Sequence, residues 1–80
     1  MGIYVKAVKQ SETTESVTYA YGAYPENLDG LIEITVPDLS WRIVKKAEYA
    51  GKLLACAIIP RIVLDYKENG LFPQVKYKQS

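Results

Sequence analysis

Residues 47–69 read AEYAGKLLACAIIPRIVLDYKEN, and this stretch decides the fold because the apolar period changes here from two residues to three and four. That period is typical of an α-helix with a buried side. One predicted stripe contains Ala50, Leu53, Leu54, Ala57 and Ile58, and a second, offset stripe contains Ile59, Ile62, Val63 and Tyr66. The offset coincides with Pro60, which lacks an N–H and crowds the preceding turn. The pattern therefore predicts one kinked helix or two short ones.

The end of this helix is marked by Gly70 and Pro73. Glycine readily takes the left-handed conformation that follows many helices, and proline cannot continue one. Residues 74–78 then alternate again, which predicts a short edge strand protected by lysines. Val75 and Tyr77 lie on one predicted face of this strand, and Lys76 and Lys78 lie on the other.

Four strands are predicted before the helix, because aliphatic, tyrosine and threonine residues alternate there between turn-forming segments. They cover residues 3–8, 17–21, 31–36 and 41–44. Tyr19 and Tyr21 share a side of their strand with Val17, so they are expected to face the core with it. The order β-β-β-β-α-β predicts an α+β fold, in which an antiparallel meander of four to five strands packs on one long or kinked helix.

The length of 80 residues allows one core, so residues 1–80 are expected to form a single domain. Cys56 is the only cysteine and lies in an apolar run, which predicts that it fills the core as a small hydrophobe. Because a lone cysteine forms no intramolecular disulfide, a cytoplasmic protein is expected. The first residues lack the apolar run of a signal peptide, and no apolar run approaches the length of a membrane span, so no membrane association is expected.

Few of the usual catalytic groups are present in this sequence. It contains no histidine and only one cysteine, so it offers no zinc-binding pattern. A glycine-rich phosphate loop is also absent from the sequence. Glu26 and Asp29 are a close carboxylate pair in a loop, and two carboxylates are too few to hold calcium. We therefore expect neither an enzyme nor a protein with a metal or cofactor, and assign no catalytic residue.

Charge is divided unequally along the chain. Residues 10–40 contain six acids and no lysine or arginine, whereas residues 41–80 contain eight bases and three acids, a surplus of five positive charges. Pairing between neighbouring strands would neutralise this difference inside the molecule. Alternatively, the acidic hairpins would form a connected patch that attracts a basic partner.

These features favour a non-enzymatic protein-interaction module with a basic protein as its partner. A small bacterial immunity protein, which neutralises a toxin by covering a basic cleft, is one such module. The predicted contact residues are Tyr24, Glu26, Asp29, Glu33 and Asp38. Two alternatives remain open: nucleic-acid binding through the basic helix and C-terminal strand, and a structural subunit of a homo-oligomer.

Overall fold

Five antiparallel strands form one sheet in the order β4-β3-β2-β1-β5, and a single helix packs against one of its faces. The computed structural model describes residues 4–79, so the predicted strand residue Ile3 lies outside the described residues. The elements are β1 (Tyr4–Glu12), β2 (Ser16–Gly22), β3 (Gly30–Thr35), β4 (Trp41–Lys45), α1 (Gly51–Asn69) and β5 (Val75–Gln79). The predicted α+β class and the order β-β-β-β-α-β are confirmed.

The meander follows from tight local turns. In the β2–β3 loop, Asn27 donates its backbone N–H to the carbonyl of Tyr24 (3.0 Å), and Pro25 lies inside that turn. Between β3 and β4, Leu39 has a left-handed φ of 58° and donates its N–H to the carbonyl of Thr35 (2.8 Å). Because such turns reverse the chain within a few residues, successive strands pair antiparallel with their neighbours in sequence.

The core lies between the helix and every second residue of the central strands. Val17, Tyr19 and Tyr21 of β2 are completely buried, as are Ile32 and Ile34 of β3. The prediction that the two tyrosines face the core with Val17 is confirmed. Among the described residues, every buried side-chain nitrogen or oxygen has a hydrogen-bond partner. Burial of these phenol rings therefore does not leave an unpaired polar atom in the core.

Helix α1 is one continuous element, so the prediction of a single helix is confirmed and the alternative of two short helices is wrong. Its buried positions follow one regular stripe of Gly51, Leu54, Ala55, Ile58, Ile59 and Ile62. Pro60 lies on the exposed side, where water can reach the backbone carbonyl that loses its partner, so the helix continues past it. Leu53, predicted as part of a stripe, is 55% exposed.

The helix begins at Gly51 rather than at the predicted Ala47. Ala50 has φ 51° and ψ 39°, a left-handed conformation that stops a right-handed helix from extending toward the N-terminus. At the other end, Gly70 has φ 78° and donates its N–H to the carbonyl of Tyr66 (2.7 Å), as the sequence predicts.

Cys56 is exposed, so the prediction that it fills the core is wrong. It follows the buried Ala55 by one position, which rotates its side chain about 100° around the helix axis and away from the sheet. An apolar run in the sequence does not show which of its members face the sheet.

Strand β5 is an edge strand beside β1. Lys76 lies opposite Ala7 and Lys78 opposite Val5, so both lysines lie on the helix side of the sheet. Lys76 forms an ion pair with Asp65 of the helix (2.7 Å). Within residues 4–79, no helix combines the length and the apolar character needed to cross a membrane.

Candidate functional site

An open groove lies at the end of the sheet where β1 begins, the β2–β3 loop turns and the helix starts. Two adjoining cavities of about 430 and 270 Å³ form it. Both are bounded by Ala23, Tyr24 and Tyr49. The larger is also lined by Asn27, Asp29 and Glu48, and the smaller by Tyr4, Ala50, Leu53 and Leu54. We name these ten residues the tyrosine groove.

Tyr24 and Tyr49 form the shared wall of the tyrosine groove. Their ring centroids are 6.4 Å apart and the rings are tilted by 46°. Tyr24 is 54% exposed and Tyr49 is 63% exposed, so large parts of both rings face water. Tyrosine combines a rigid apolar ring with a hydroxyl, and such residues frequently anchor protein interfaces.

The hydroxyl of Tyr21 holds the β4–α1 connection that carries Glu48 and Tyr49. It donates a hydrogen bond to the carbonyl of Gly51 (2.8 Å) and accepts one from the N–H of Ala47 (3.1 Å). The two bonded backbone groups lie on either side of residues 48–50. Because the hydroxyl is buried with them, it fixes both ends of this short connection to the middle of the sheet. Burial also raises the pKa of the Tyr21 phenol.

Gly30 makes room for the ring of Tyr21. A Cβ atom at position 30 would lie 2.4 Å from Cε1 of that ring, far inside van der Waals contact. Glycine at position 22 is needed for a similar reason, since a Cβ there would lie 2.7 Å from the backbone oxygen of Asn27. The two glycines therefore allow the β2–β3 loop to fold closely onto β2.

Asp29 joins the two loops of the groove. Its carboxylate accepts a hydrogen bond from the backbone N–H of Glu48 (3.2 Å). Among the described residues, neither Asp29 nor Glu48 takes part in a salt bridge, and the same is true of Glu26 in the adjacent turn. Three carboxylates at this end of the sheet therefore keep their charge available to another molecule.

The predicted contact residues do not all lie together. Tyr24, Asp29 and Glu26 lie at the groove end, with Tyr24 and Asp29 lining the groove itself. Glu33 lies in the middle of β3 and forms an ion pair with Arg42 of β4 (2.8 Å). Asp38 lies in the β3–β4 turn, at the opposite end of β3.

The acids of residues 10–40 are thus partly paired and partly separated. Glu12 forms an ion pair with Lys9 (2.7 Å), as Glu33 does with Arg42. Asp38 accepts hydrogen bonds from the backbone N–H and the hydroxyl of Ser40, and these lower the pKa of its carboxyl group. The expected connected patch is replaced by a smaller acidic region at the groove.

Glu48 and Tyr49 are groove residues that the sequence did not reveal. They fall inside the segment predicted to be helical, where charged and aromatic residues are usually interpreted as parts of a helix surface. Their position depends on Tyr21, whose hydroxyl bonds to Ala47, 26 residues away in sequence. In the sequence, the adjacent small residues Ala50 and Gly51 were the one signal that the helix begins later than Ala47.

The fold and the groove together define a small α+β domain with one helix on an antiparallel sheet and an aromatic, partly acidic groove at one end. A scan against protein-family models, a search of curated proteins and a search of solved structures each found no match. Within residues 4–79, no group of three or more cysteine, aspartate or glutamate side chains is arranged to hold a metal ion. A function has to be inferred from the residues of the groove.

Proposed function

We propose that this chain is a non-enzymatic protein-interaction domain whose tyrosine groove binds a protein with exposed basic side chains. The observation that carries the proposal is the pair of exposed rings, Tyr24 and Tyr49, beside the carboxylates of Asp29 and Glu48, neither of which takes part in a salt bridge among the described residues. A lysine or arginine side chain can contact the face of a tyrosine ring and a carboxylate at the same time. Both contacts favour a cation, and both are present in one groove.

The geometry also supports rapid association. Glu26 is exposed at the tip of the β2–β3 turn, and Glu48 is exposed on the facing connection. Carboxylates at the rim of a binding site attract a basic partner before contact and increase the association rate, most strongly at low ionic strength. The exposed rings then supply the apolar contact that slows dissociation.

A bacterial immunity protein remains the kind of interaction module that we favour. Such a protein is cytoplasmic, small and without catalytic groups, and it neutralises a toxin by covering a basic cleft. The support here is charge complementarity between such a cleft and the acidic side of the groove, which applies equally to other basic protein surfaces.

Self-association is a second candidate, and a specific observation favours it. Strand β4 is an edge strand on which Trp41 is 44% exposed and Val44 is 43% exposed. An open strand edge with large apolar side chains can pair with another chain. Sedimentation decides between the two: a dimer that dissociates in the Trp41→Lys variant would support this candidate, and a concentration-independent monomer would remove it.

Nucleic-acid binding through the helix and β5 is the weaker alternative. Lys76 is already paired with Asp65, and Asp65 and Glu68 lie on the same helix as Lys67. These carboxylates reduce the positive field that phosphate binding needs. An oligonucleotide retarded by the protein at low salt, and released as salt rises, would overturn the preference for a protein partner.

The main proposal is tested with matched charge variants. Affinity capture from the native cell supplies the partner, and its association rate is measured with the wild type, Glu48→Lys and Glu15→Lys. Glu15 is exposed in the β1–β2 turn at the opposite end of the sheet, so its variant makes the same charge change away from the groove. We expect Glu48→Lys to slow association about tenfold at low salt and Glu15→Lys to leave the rate close to that of the wild type.

A second pair of variants tests the aromatic contact. Tyr49→Ser removes a 63% exposed ring from the groove, whereas Leu71→Ser removes a 74% exposed apolar side chain elsewhere. Only the first is expected to speed dissociation. If both groove variants bind the partner as the wild type does, while circular dichroism shows all variants folded, the groove is not the binding site.

A further inference from the structure

The tyrosine groove consists of two compartments of different chemistry. The acidic compartment, about 430 Å³, contains the carboxylates of Asp29 and Glu48. The apolar compartment, about 270 Å³, contains Tyr4, Leu53 and Leu54. Since Ala23, Tyr24 and Tyr49 bound both, a ligand can enter the two compartments on either side of one aromatic wall.

A site that binds only a cation does not need an apolar compartment, so the exposed apolar side chains here call for a second part of the ligand. Leu53 is 55% exposed and lies on the side of the helix that faces away from the sheet. Leu53 and Tyr49, which is 63% exposed, together form an apolar surface that is exposed to water next to the acidic compartment. Burial of such a surface under a partner's apolar side chain lowers the free energy of the complex. A purely cationic ligand would leave the surface exposed to water.

We propose, as an extension of the proposed function, that the groove recognises a short extended peptide segment of its partner. The segment carries a lysine or arginine for the acidic compartment and a large apolar side chain for the apolar compartment, two positions apart. In an extended peptide, side chains at positions i and i+2 point the same way, roughly 7 Å apart. Because Ala23, Tyr24 and Tyr49 line both compartments, the two are adjacent, and this spacing is the shortest that places both side chains on the same side of an extended segment.

Charge complementarity selects this occupant. The carboxylates of Asp29 and Glu48, with Glu26 close by in the adjacent turn, repel nucleic-acid phosphates and acidic peptides. They attract a basic residue, and the neighbouring ring of Tyr49 adds a favourable contact with its charge. The apolar compartment then distinguishes a mixed basic and apolar segment from a uniformly basic one.

The test uses the full chain labelled with ¹⁵N and five blocked synthetic peptides. The first is Ser-Arg-Ser-Leu-Ser-Gly, prepared also in the reverse order because the groove does not define direction. The others replace its arginine by glutamine, its leucine by alanine, or both. Titrations follow the backbone amide signals of Tyr24, Tyr49 and Leu53, which report on the groove directly.

We expect the peptide with both side chains to bind most tightly in one of its two orders. Replacing leucine should weaken binding about tenfold, and replacing arginine about fivefold. The Leu53→Ser variant should lose affinity only for peptides that contain leucine. Leu64→Ser, which alters a 50% exposed leucine elsewhere on the same helix, should bind as the wild type does.

The outcomes separate this inference from the proposed function. If the arginine peptide binds equally well with alanine in place of leucine, the two-part ligand is wrong while the basic partner stands. If leucine alone suffices, or if the Leu53→Ser and Leu64→Ser variants behave alike, the division into compartments is wrong. If none of the peptides perturbs the groove at millimolar concentration, the inference is overturned, while the proposed function is decided separately by the association rates of Glu48→Lys and Glu15→Lys with the captured partner.

Discussion

The hydroxyl of Tyr21 is a single group on which the groove depends, and Tyr21→Phe removes it with little other change. The ring stays in place against Gly30, where a Cβ atom would already be too close. Two buried backbone groups lose a hydrogen bond: the N–H of Ala47 at 3.1 Å, and the carbonyl of Gly51 at 2.8 Å, which keeps only its bond within the helix. The variant therefore tests hydrogen bonding separately from packing.

The expected loss of stability follows from those two groups. A hydrogen bond contributes about 1 kcal/mol net, and a buried polar group left without a partner costs about 1–3 kcal/mol. With some relaxation of the connection toward water, we expect Tyr21→Phe to lower the free energy of unfolding by about 2–4 kcal/mol. A domain of this size is stable by roughly 4–12 kcal/mol, so the loss is a large fraction of the total.

Urea unfolding followed by the fluorescence of Trp41 measures this loss, and Tyr77→Phe provides the control. Tyr77 is 54% exposed, so removal of its hydroxyl should change stability by less than about 0.5 kcal/mol. Hydrogen exchange adds a local measurement, because the amide of Ala47 should lose much of its protection in Tyr21→Phe. A variant as stable as the control, with the Ala47 amide still protected, would refute the role assigned to the hydroxyl.

Two further predictions concern stability. Pro60→Ala should raise the free energy of unfolding by about 1–3 kcal/mol, because it restores an N–H to the helix at an exposed position; an unchanged urea midpoint would contradict this. Burial raises the pKa of both Tyr19 and Tyr21 above the usual 10.0, so their stabilising contribution is complete below pH 10 and is lost as pH rises through and above 10. Stability should therefore fall as pH rises above 10, by at most about 1.4 kcal/mol per pH unit for each phenol, and Tyr21→Phe should show a shallower decline than the wild type in urea titrations between pH 8 and 11.5.

The sheet was predictable from sequence because its signals are local. Alternation in β2 placed Val17, Tyr19 and Tyr21 on one face, and all three are buried. Turn residues such as Pro25 separated the strands, and Gly70 marked the end of the helix correctly. Each of these features depends on residues within a few positions, where backbone preferences and side-chain period act directly.

The groove was less predictable because contacts distant in sequence form it. Tyr24 and Asp29 were expected at a binding surface and do line the groove, whereas Glu48 and Tyr49 were hidden in a predicted helix. The helix begins later because the Tyr21 hydroxyl holds Ala47 and because Ala50 is left-handed. A pattern of residue types does not show a hydrogen bond across 26 positions, so it does not show where the connection leaves the helix.

Four of the seven tyrosines form two pairs with different physical tasks. On β2, the hydroxyl of Tyr19 donates to the carbonyl of Pro73 beyond the end of the helix, and the hydroxyl of Tyr21 donates to Gly51 at its start. One strand therefore holds both ends of the helix by buried phenols. Tyr49 is exposed on the β4–α1 connection that the Tyr21 hydroxyl holds, and the exposed ring of Tyr24 lies beside it on the β2–β3 loop. Because the segment that carries Tyr49 is positioned through the buried Tyr21 hydroxyl, substitution of Tyr21 should alter ligand affinity although Tyr21 does not line the groove.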